Sequence, residues 1–408
     1  MLKLLVIADD FTGALDTGVQ FAKLGIETIV STDINIKEKD ITDEAEILVI
    51  NSETRHLSAR EAYQCVKIIL EKAKQLQIPY IYKKVDSALR GNVSSEIKAL
   101  VELYPDKLIP FLPSYPDMNR YVLNGNLYID DVLVTESVFA QDPYEPVRES
   151  NIIKRLKTEA NIEAKLVNSH SLPTKGLAVF DAKTNKELQH FGEILNKNNN
   201  LNICVGCAGF AKILAELIFE SKKKEKVNIK KPLVVICGSV NPITQKQVRY
   251  VNKDYPVISL NTKQLLTQNY WETSEGNHQI HEFSQLINSH RIVVFETFSQ
   301  KAISYYDNDE LSKVSDDAIR FKIADSLGVL TKKLWEVSQK GTFLFTGGDT
   351  LYQSMKVLGV TQIKPINELE SGVVLSKLCW NHQEMIVITK SGGFGEEDLF
   401  EQIINKEY

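Results

Sequence analysis

Three short stretches in the first half of the chain put acids, cations and hydroxyls at the same kind of corner. Asp9, Asp10, Thr12, Gly13 and Asp16 follow the apolar run Leu2 to Ala8, and Thr54 and Arg55 follow Ile47 to Asn51. Lys84, Asp86, Ser87 and Arg90 follow Tyr80 to Lys83. An arginine fork holds a carboxylate through two parallel hydrogen bonds, and aspartates accept hydrogen bonds from hydroxyl groups. A pocket for a small polyhydroxylated acid is the chemistry these residue types can perform together. Taken singly, each has a plainer reading: Asp9 and Asp10 as helix N-caps, Arg55 as a surface ion pair, and Lys84, Asp86 and Arg90 as an internal salt-bridge network. Their joint placement after successive strands favours the pocket.

The second half carries glycine where the first carries charge. The apolar run Gly341 to Phe345 leads into Thr346, Gly347, Gly348, Asp349 and Thr350, and a helical pattern with Leu351, Met355 and Leu358 follows, stopped by Gly359. Pro232 to Cys237 ends in Gly238 and Ser239, with Asn241 as a candidate N-cap and Pro242 in the first turn. Met385 to Thr389 ends in Lys390, Ser391, Gly392, Gly393, Phe394 and Gly395, and Glu396, Glu397 and Asp398 read as an acidic helix start. Small residues at such corners let backbone N–H groups approach an anion, and a helix N-terminus adds partial positive charge. One such corner can be only a tight turn. Three, at the ends of strands in one sheet, can converge on a polyphosphate.

The elements that position these loops alternate along the chain. Leu2–Ala8, Thr28–Ser31, Ile47–Asn51, Tyr80–Lys83, Lys107–Leu112, Leu177–Phe180 and Leu201–Val205 read as strands, and Ala14–Leu24, Ser58–Leu76 and Ser94–Leu103 as amphipathic helices between them. This is the pattern of an α/β protein with mostly parallel sheets flanked by helices. Tyr121 to Thr135 is an exception: alternating apolar residues flank Asn124-Gly125 and Asp130-Asp131, the chemistry of β-hairpin turns. The lysine run over 222–231 is the best domain boundary, and two domains are expected of 408 residues, spanning 1–225 and 226–408.

Composition narrows the function classes. A net charge of −5 gives no general field for nucleic acid, and the run from Lys222 to Lys226 reads as a solvated linker. No apolar stretch approaches a membrane span, and the opening LKLLVIA runs directly into two aspartates, as a strand does and a secretory core does not. Five scattered cysteines point to a reducing, cytoplasmic setting. Cys204 and Cys207 form a CxxC without a second ligand pair, and His278 and His281 lie in a polar stretch, so no metal ligands are assigned. The chain has neither GxxxxGK[ST] nor a GxGxxG after a strand, which removes one common ATP mode and weakens a nicotinamide dehydrogenase reading.

The blocks IADDFTGALDTG (7–18), TR (54–55), KKVDSALRGN (83–92), CGSVNPITQKQ (237–247), TGGDT (346–350) and KSGGFG (390–395) together resemble the four-carbon acid sugar kinase family. Its members phosphorylate threonate, erythronate or 3-oxo-tetronate at the expense of ATP. The resemblance implies an N-terminal substrate domain, a C-terminal ATP domain and an active site in the cleft between them. It implies substrate contacts from Asp10, Arg55, Lys84, Asp86, Ser87 and Arg90. ATP contacts would come from Ser239, Gly347, Gly348, Asp349, Thr350, Gly392 and Gly393. The partners are then a sugar acid and ATP, with no nucleic acid or membrane and with a homodimer left open. The segment Asp142-Pro143-Tyr144-Glu145-Pro146-Val147 is closer to the threonate and erythronate kinases than to the oxo-tetronate kinases. Two departures bear on substrate identity: Ala88 stands where the family carries threonine, and Asn119, Arg120 and Tyr121 stand where many members carry Gly-Arg-Thr.

Phosphoryl transfer asks a protein for positioning and charge more than for covalent chemistry. The glycine loops are expected to hold the triphosphate with Mg²⁺ bridging its oxygens, and Arg55, with Arg90 or Lys84, to hold the substrate carboxylate. An aspartate must take up the proton of the terminal 4-hydroxyl, and Asp349, Asp86 and Asp10 are the candidates. Two other functions stay open at this point: a nicotinamide-dependent sugar-acid oxidoreductase, and a two-domain sugar-acid sensor without chemistry.

Overall fold

The computed structural model describes residues 2–36, 45–142, 144–168, 171–223, 227–298, 316–338 and 341–406. The chain divides into two compact units, Met1–Lys224 and Glu225–Tyr408. The boundary expected at 225/226 lies outside the described residues, as does Pro143.

The first unit is built on β1 (Leu4–Ala8), β2 (Thr28–Ser31), β3 (Ile47–Asn51), β4 (Tyr80–Lys84), β5 (Leu108–Leu112), β9 (Ala164–Val167), β10 (Gly176–Phe180) and β11 (Ile203–Gly206). They form one sheet in the order β2-β3-β1-β4-β11-β5-β10-β9, every pair parallel. LLVIA and ILVIN are buried along their whole length, as strands covered by helices on both faces must be. Helix Ala59–Gln75 opens with a capping box between Ser58 and Glu61, worth about 1 kcal/mol. Helix Phe11–Ala22 starts three residues before the sequence pattern suggests, because the Asp10 side chain accepts the Gly13 N–H and so makes Asp10 the N-cap. The predicted hairpin is present as β6 (Arg120–Leu123), β7 (Asn126–Ile129) and β8 (Val132–Leu133), antiparallel, with positive φ at Asn124, Gly125, Asp130 and Asp131.

The second unit contains β12 (Leu233–Cys237), β13 (Val257–Ser259), β14 (Ile292–Glu296), β15 (Thr342–Thr346), β16 (Gln362–Glu370), β17 (Val373–Trp380) and β18 (Gln383–Lys390), in the order β13-β14-β12-β15-β18-β17-β16. The strands from β13 to β18 are parallel; β17 and β16 then add a long antiparallel meander that the alternation of strands and helices does not announce. The acidic residues 396–398 lie outside the last helix, which begins at Leu399 without a side-chain cap from Asp398. Each unit has its own apolar core.

Candidate active site

In the first unit Ala8 lies opposite both Asn51 and Lys84, so β1, β3 and β4 end flush. β1 is also where the strand order turns, with β3 to one side and β4 to the other, and such a switch point opens a crevice beyond the carboxyl ends of an open α/β sheet. The three charged loops leave from there. Arg55 is their hub. Its Nε donates to Asp9 Oδ2 (2.7 Å), its Nη1 to Asp10 Oδ2 (2.8 Å), and its Nη2 stands 3.9 Å from Asp86 Oδ1. The expected two-pronged grip of Arg55 on a substrate carboxylate therefore meets a fork already filled by the protein's own aspartates.

The three aspartates differ in what surrounds them. Asp86 takes the Arg90 fork on both oxygens, Nε at 2.9 Å and Nη2 at 3.0 Å, and its Oδ2 also accepts the Ala88 and Arg90 N–H groups at 3.2 Å. Burial works to raise its pKa, but Arg90 and Arg55 hold it well below the ordinary carboxylate value. Asp9 is buried as well and is held low by Arg55, Lys83 and Lys84 against its desolvation. Asp10 goes the other way: burial and the neighbouring Asp9 charge push it up in spite of Arg55. Its side chain keeps 22% of its surface, against 3% for Asp9 and 10% for Asp86.

Lys84 is buried, and its ammonium has no hydrogen bond or ion pair among the described residues. It borders Asp10, since a Cβ built on Gly13 would lie 2.4 Å from Asp10 Oδ1 and 2.9 Å from Lys84 Nζ. Ser87 Oγ accepts a hydrogen bond from Arg120, whose Nε is buried without an acceptor. Arg90 and Arg120 lie over the Phe139 ring at 5.1 and 5.0 Å. Asp142 reaches Arg90 Nη1 at 3.2 Å, and Glu145 pairs with His56, so these two acids border the same cluster. Ala88 is fully buried.

Sequence reasoning missed the layer beneath. Lys83 is wholly buried, 3.0 Å from Glu96, and donates to the carbonyls of Ile7 (3.2 Å) and Lys84 (2.7 Å); Thr54 Oγ1 donates to the other Glu96 oxygen. Removing one partner of such a buried pair costs roughly 3–5 kcal/mol. The available signal was a lysine inside an otherwise buried strand. Asn92 Nδ2 then ties the two loops by donating to the carbonyls of Thr54 (2.9 Å) and Leu57 (2.7 Å).

In the second unit Cys237, Thr346 and Lys390 are opposite one another, so β12, β15 and β18 also end flush. The three glycine loops meet there. Ser239 N–H donates to Thr346 Oγ1 (3.3 Å), Gly347 N–H to the Lys390 carbonyl (2.8 Å), and Thr244 Oγ1 to the Gly392 carbonyl (2.8 Å). Gln247 Nε2 donates to the carbonyls of Phe394, Gly395 and Glu396. A Cβ on Gly238 would sit 2.3 Å from Thr350 Oγ1, and one on Gly392 would sit 2.6 Å from Ser239 Oγ. Gly347, at φ +94°, precedes helix Gly348–Leu358, whose first turn has no side-chain cap. Gly393 is exposed, and the Asp349 carboxylate is 57% exposed and paired with Arg320. The structure thus brings Ser239, Gly347, Gly348, Thr350 and Gly392 together, and leaves Asp349 at their rim.

Cys204 and Cys207 are both buried, with thiols donating to backbone carbonyls, and desolvation raises the pKa of each. Among the described residues no helix is long and apolar enough to cross a membrane.

A family model described as a sugar-binding N-terminal domain matches residues 4–214, more than half of the chain, and one described as a nucleotide-binding C-terminal domain matches 234–400. Relatives align over nearly all of it: a D-threonate kinase of Salmonella typhimurium (27% identity, 97% of this chain and 96% of that one), a D-erythronate kinase of Heliobacterium modesticaldum (22%, 98% and 95%) and a 3-oxo-tetronate kinase of Haemophilus influenzae (24%, 97% and 98%). The chain belongs to the four-carbon acid sugar kinase family. A kinase replaces the oxidoreductase and the sensor as the reading of the molecule. A crystal structure described as a putative tRNA synthase from Salmonella typhimurium superposes on this kinase with a TM-score of 0.83 at 22% identity, covering 100% of both chains, and that likeness carries the fold alone.

Proposed function

We propose that this kinase transfers the γ-phosphoryl group of ATP to the terminal 4-hydroxyl of a four-carbon sugar acid, D-threonate or D-erythronate, in cytoplasmic sugar-acid catabolism. The observation that carries the reading is the pairing, at the flush ends of β1, β3 and β4, of an accessible aspartate with a raised pKa and a buried ammonium without a partner. Lys84 and Arg120 are the cations with donors to spare, and in this reading they meet the substrate carboxylate. Arg55 and the Arg90–Asp86 pair orient the aspartates and the loop. Asp10 takes the hydroxyl proton as the oxygen–phosphorus bond forms and the bond to the β-phosphate oxygen breaks, releasing ADP. Asp86, with both oxygens filled and its charge stabilised, suits the orienting role better than that of base.

The triphosphate would lie against the uncapped first turn of helix Gly348–Leu358 and the Ser239 and Gly392 loops. Mg²⁺ would offset charge on its oxygens; Asp349, exposed at that corner and paired with Arg320, has the donor chemistry to help hold it. Phosphoryl transfer requires the hydroxyl of the bound acid to reach the γ-phosphate of the bound nucleotide. The residues at 142–147 resemble those of the threonate and erythronate kinases, and that resemblance favours an aldonate over a 3-oxo acid. Coupled ADP release from Mg-ATP with D-threonate, L-threonate, D-erythronate, L-erythronate and a 3-oxo-tetronate tests this. Strong turnover on a D-aldonate is expected. Turnover confined to the 3-oxo acid would overturn the substrate assignment, and silence on all five would overturn the substrate class.

A further inference from the structure

The side chain of Lys390 is fully buried at the end of β18, directly beneath the glycine loops, and nothing in the chemistry above uses it. Its ammonium donates to three oxygens, Thr244 Oγ1 (2.9 Å) and the carbonyls of Ser391 and Gly392 (3.1 Å each), all of them neutral. Among the described residues no carboxylate pairs with it. The other titratable group facing it is the Cys237 thiol of β12, which burial pushes up to about 11 and so keeps uncharged at neutral pH. Beyond Cys237, the Glu296 carboxylate of β14 is turned to the Phe298 N–H (2.7 Å), and Asp349 is paired with Arg320 at the surface. A buried charge without a counter-charge is costly, and its burial draws the ammonium down to about 8. The same corner carries the uncapped helix start at Gly348, which is positive as well. Glu296 and Asp349 are the carboxylates nearest these strand ends among the described residues and neither pairs with Lys390, so an anion over the loops would balance its charge.

We propose that Lys390 is a positioning residue of the nucleotide site: it holds the Ser391–Gly392 turn through its carbonyls and supplies the fixed positive charge that the bound phosphates neutralise. The inference rests on the reading of the second unit as the nucleotide-binding one. Because the side chain is sealed below the loops, it acts through the turn and through its field, with no contact to the ligand of its own.

The test is Mg-ATP and inorganic tripolyphosphate binding to the full chain by calorimetry, for wild type, Lys390→Met and Lys390→Arg. Loss of one unit charge a few ångströms from the phosphates should weaken both ligands roughly ten- to a hundredfold in Lys390→Met, with Lys390→Arg recovering a large part. Wild-type affinity should fall as pH rises from 7.5 to 10, a range in which ATP is already fully ionised, and the profile of Lys390→Met should be flat. Thermal melting supplies the second readout: without ligand Lys390→Met should melt no lower than wild type, since it removes an uncompensated charge, yet lose most of the ATP-induced rise. Unchanged ATP affinity in Lys390→Met, or a wild-type profile flat to pH 10, would overturn the role of Lys390 alone. Wild type that binds neither ATP nor tripolyphosphate would overturn the nucleotide reading of the unit, and the inference with it.

Discussion

A carboxylate that removes a proton from an alcohol needs access to the substrate, a lone pair to spare and a pKa that has not been driven down. Asp10 meets these conditions: its oxygens accept one hydrogen bond each, from Gly13 N–H (3.0 Å) and Arg55 (2.8 Å), and burial lifts its pKa. Asp86 is less exposed, its carboxylate is gripped by the Arg90 fork, and its pKa is driven down. Replacing Asp10 by asparagine is therefore expected to lower kcat about 10²- to 10⁴-fold with little change in ATP binding. Replacing Asp86 by asparagine loosens the Arg90 fork and should raise KM for the acid more than it lowers kcat. Single-turnover rates and nucleotide titrations on both variants check this, and a near-normal rate for Asp10→Asn would sink the assignment. The linear chain displays Asp10, Arg55 and Asp86 because their loops are short and follow recognisable strands. It does not rank them, because the ranking comes from Arg90 folding back four residues onto Asp86 and from Arg55 arriving from another strand. Lys83 and Lys390 were overlooked for a related reason. Lys83 lies next to last in a buried strand and Lys390 ends one, and only the fold tells a lysine that turns under the sheet from one that reaches solvent.

At the scale of elements, the strand-to-helix corners set the geometry, and their backbones are specialised where the site needs it. The loop after β4 holds Leu89 at φ +60° and Gly91 at φ +76°, and a Cβ on Gly91 would come within 2.9 Å of Arg55 Cγ. Gly91→Ala combines left-handed strain of about 1–2 kcal/mol with a push on the arginine that organises three aspartates. The expected result is a rise of roughly tenfold or more in KM for the sugar acid, as small misplacements at a site permit, while KM for ATP stays as it is. Gly359→Ala is the control: at φ +69° it carries comparable strain, but no atom lies within 4 Å of the added carbon, so it should lower stability alone. Equal kinetic effects from the two variants would show that strain, not the displacement of Arg55, is the cause. Most of the parallel strands and the β6–β7 hairpin were legible because burial on both faces gives unbroken apolar runs and because Asn-Gly favours a tight hairpin turn, whereas β9, β13 and β14 are not among the strands read from the sequence. The β16–β17 pair was not: QIKPINELE mixes charge and proline, and β17 reads as one more apolar run until the register sets it antiparallel to β18.

For the whole molecule the two sets of strand ends imply a division of labour along the chain. Each unit has its own core and its own flush strand ends, the first surrounded by carboxylates and cations, the second by glycine N–H groups and one buried ammonium. A ligand stabilises only the segments that open less often when it is bound, by about 2.7 kcal/mol at a hundredfold excess over its Kd. Hydrogen exchange read by mass spectrometry can follow that stabilisation segment by segment. Sugar acid alone should slow exchange over 9–16, 54–57 and 84–92, and leave 238–241, 346–350 and 391–395 at their rates in the free protein. Mg-ATP alone should do the reverse, and slowest at 391–395, where Lys390 already fixes two carbonyls. Acid that protects the glycine loops, or ATP that protects the Asp86–Arg90 loop as strongly as its own, would mean that the assignment of ligands to units is wrong, since each chemistry is confined to one set of strand ends.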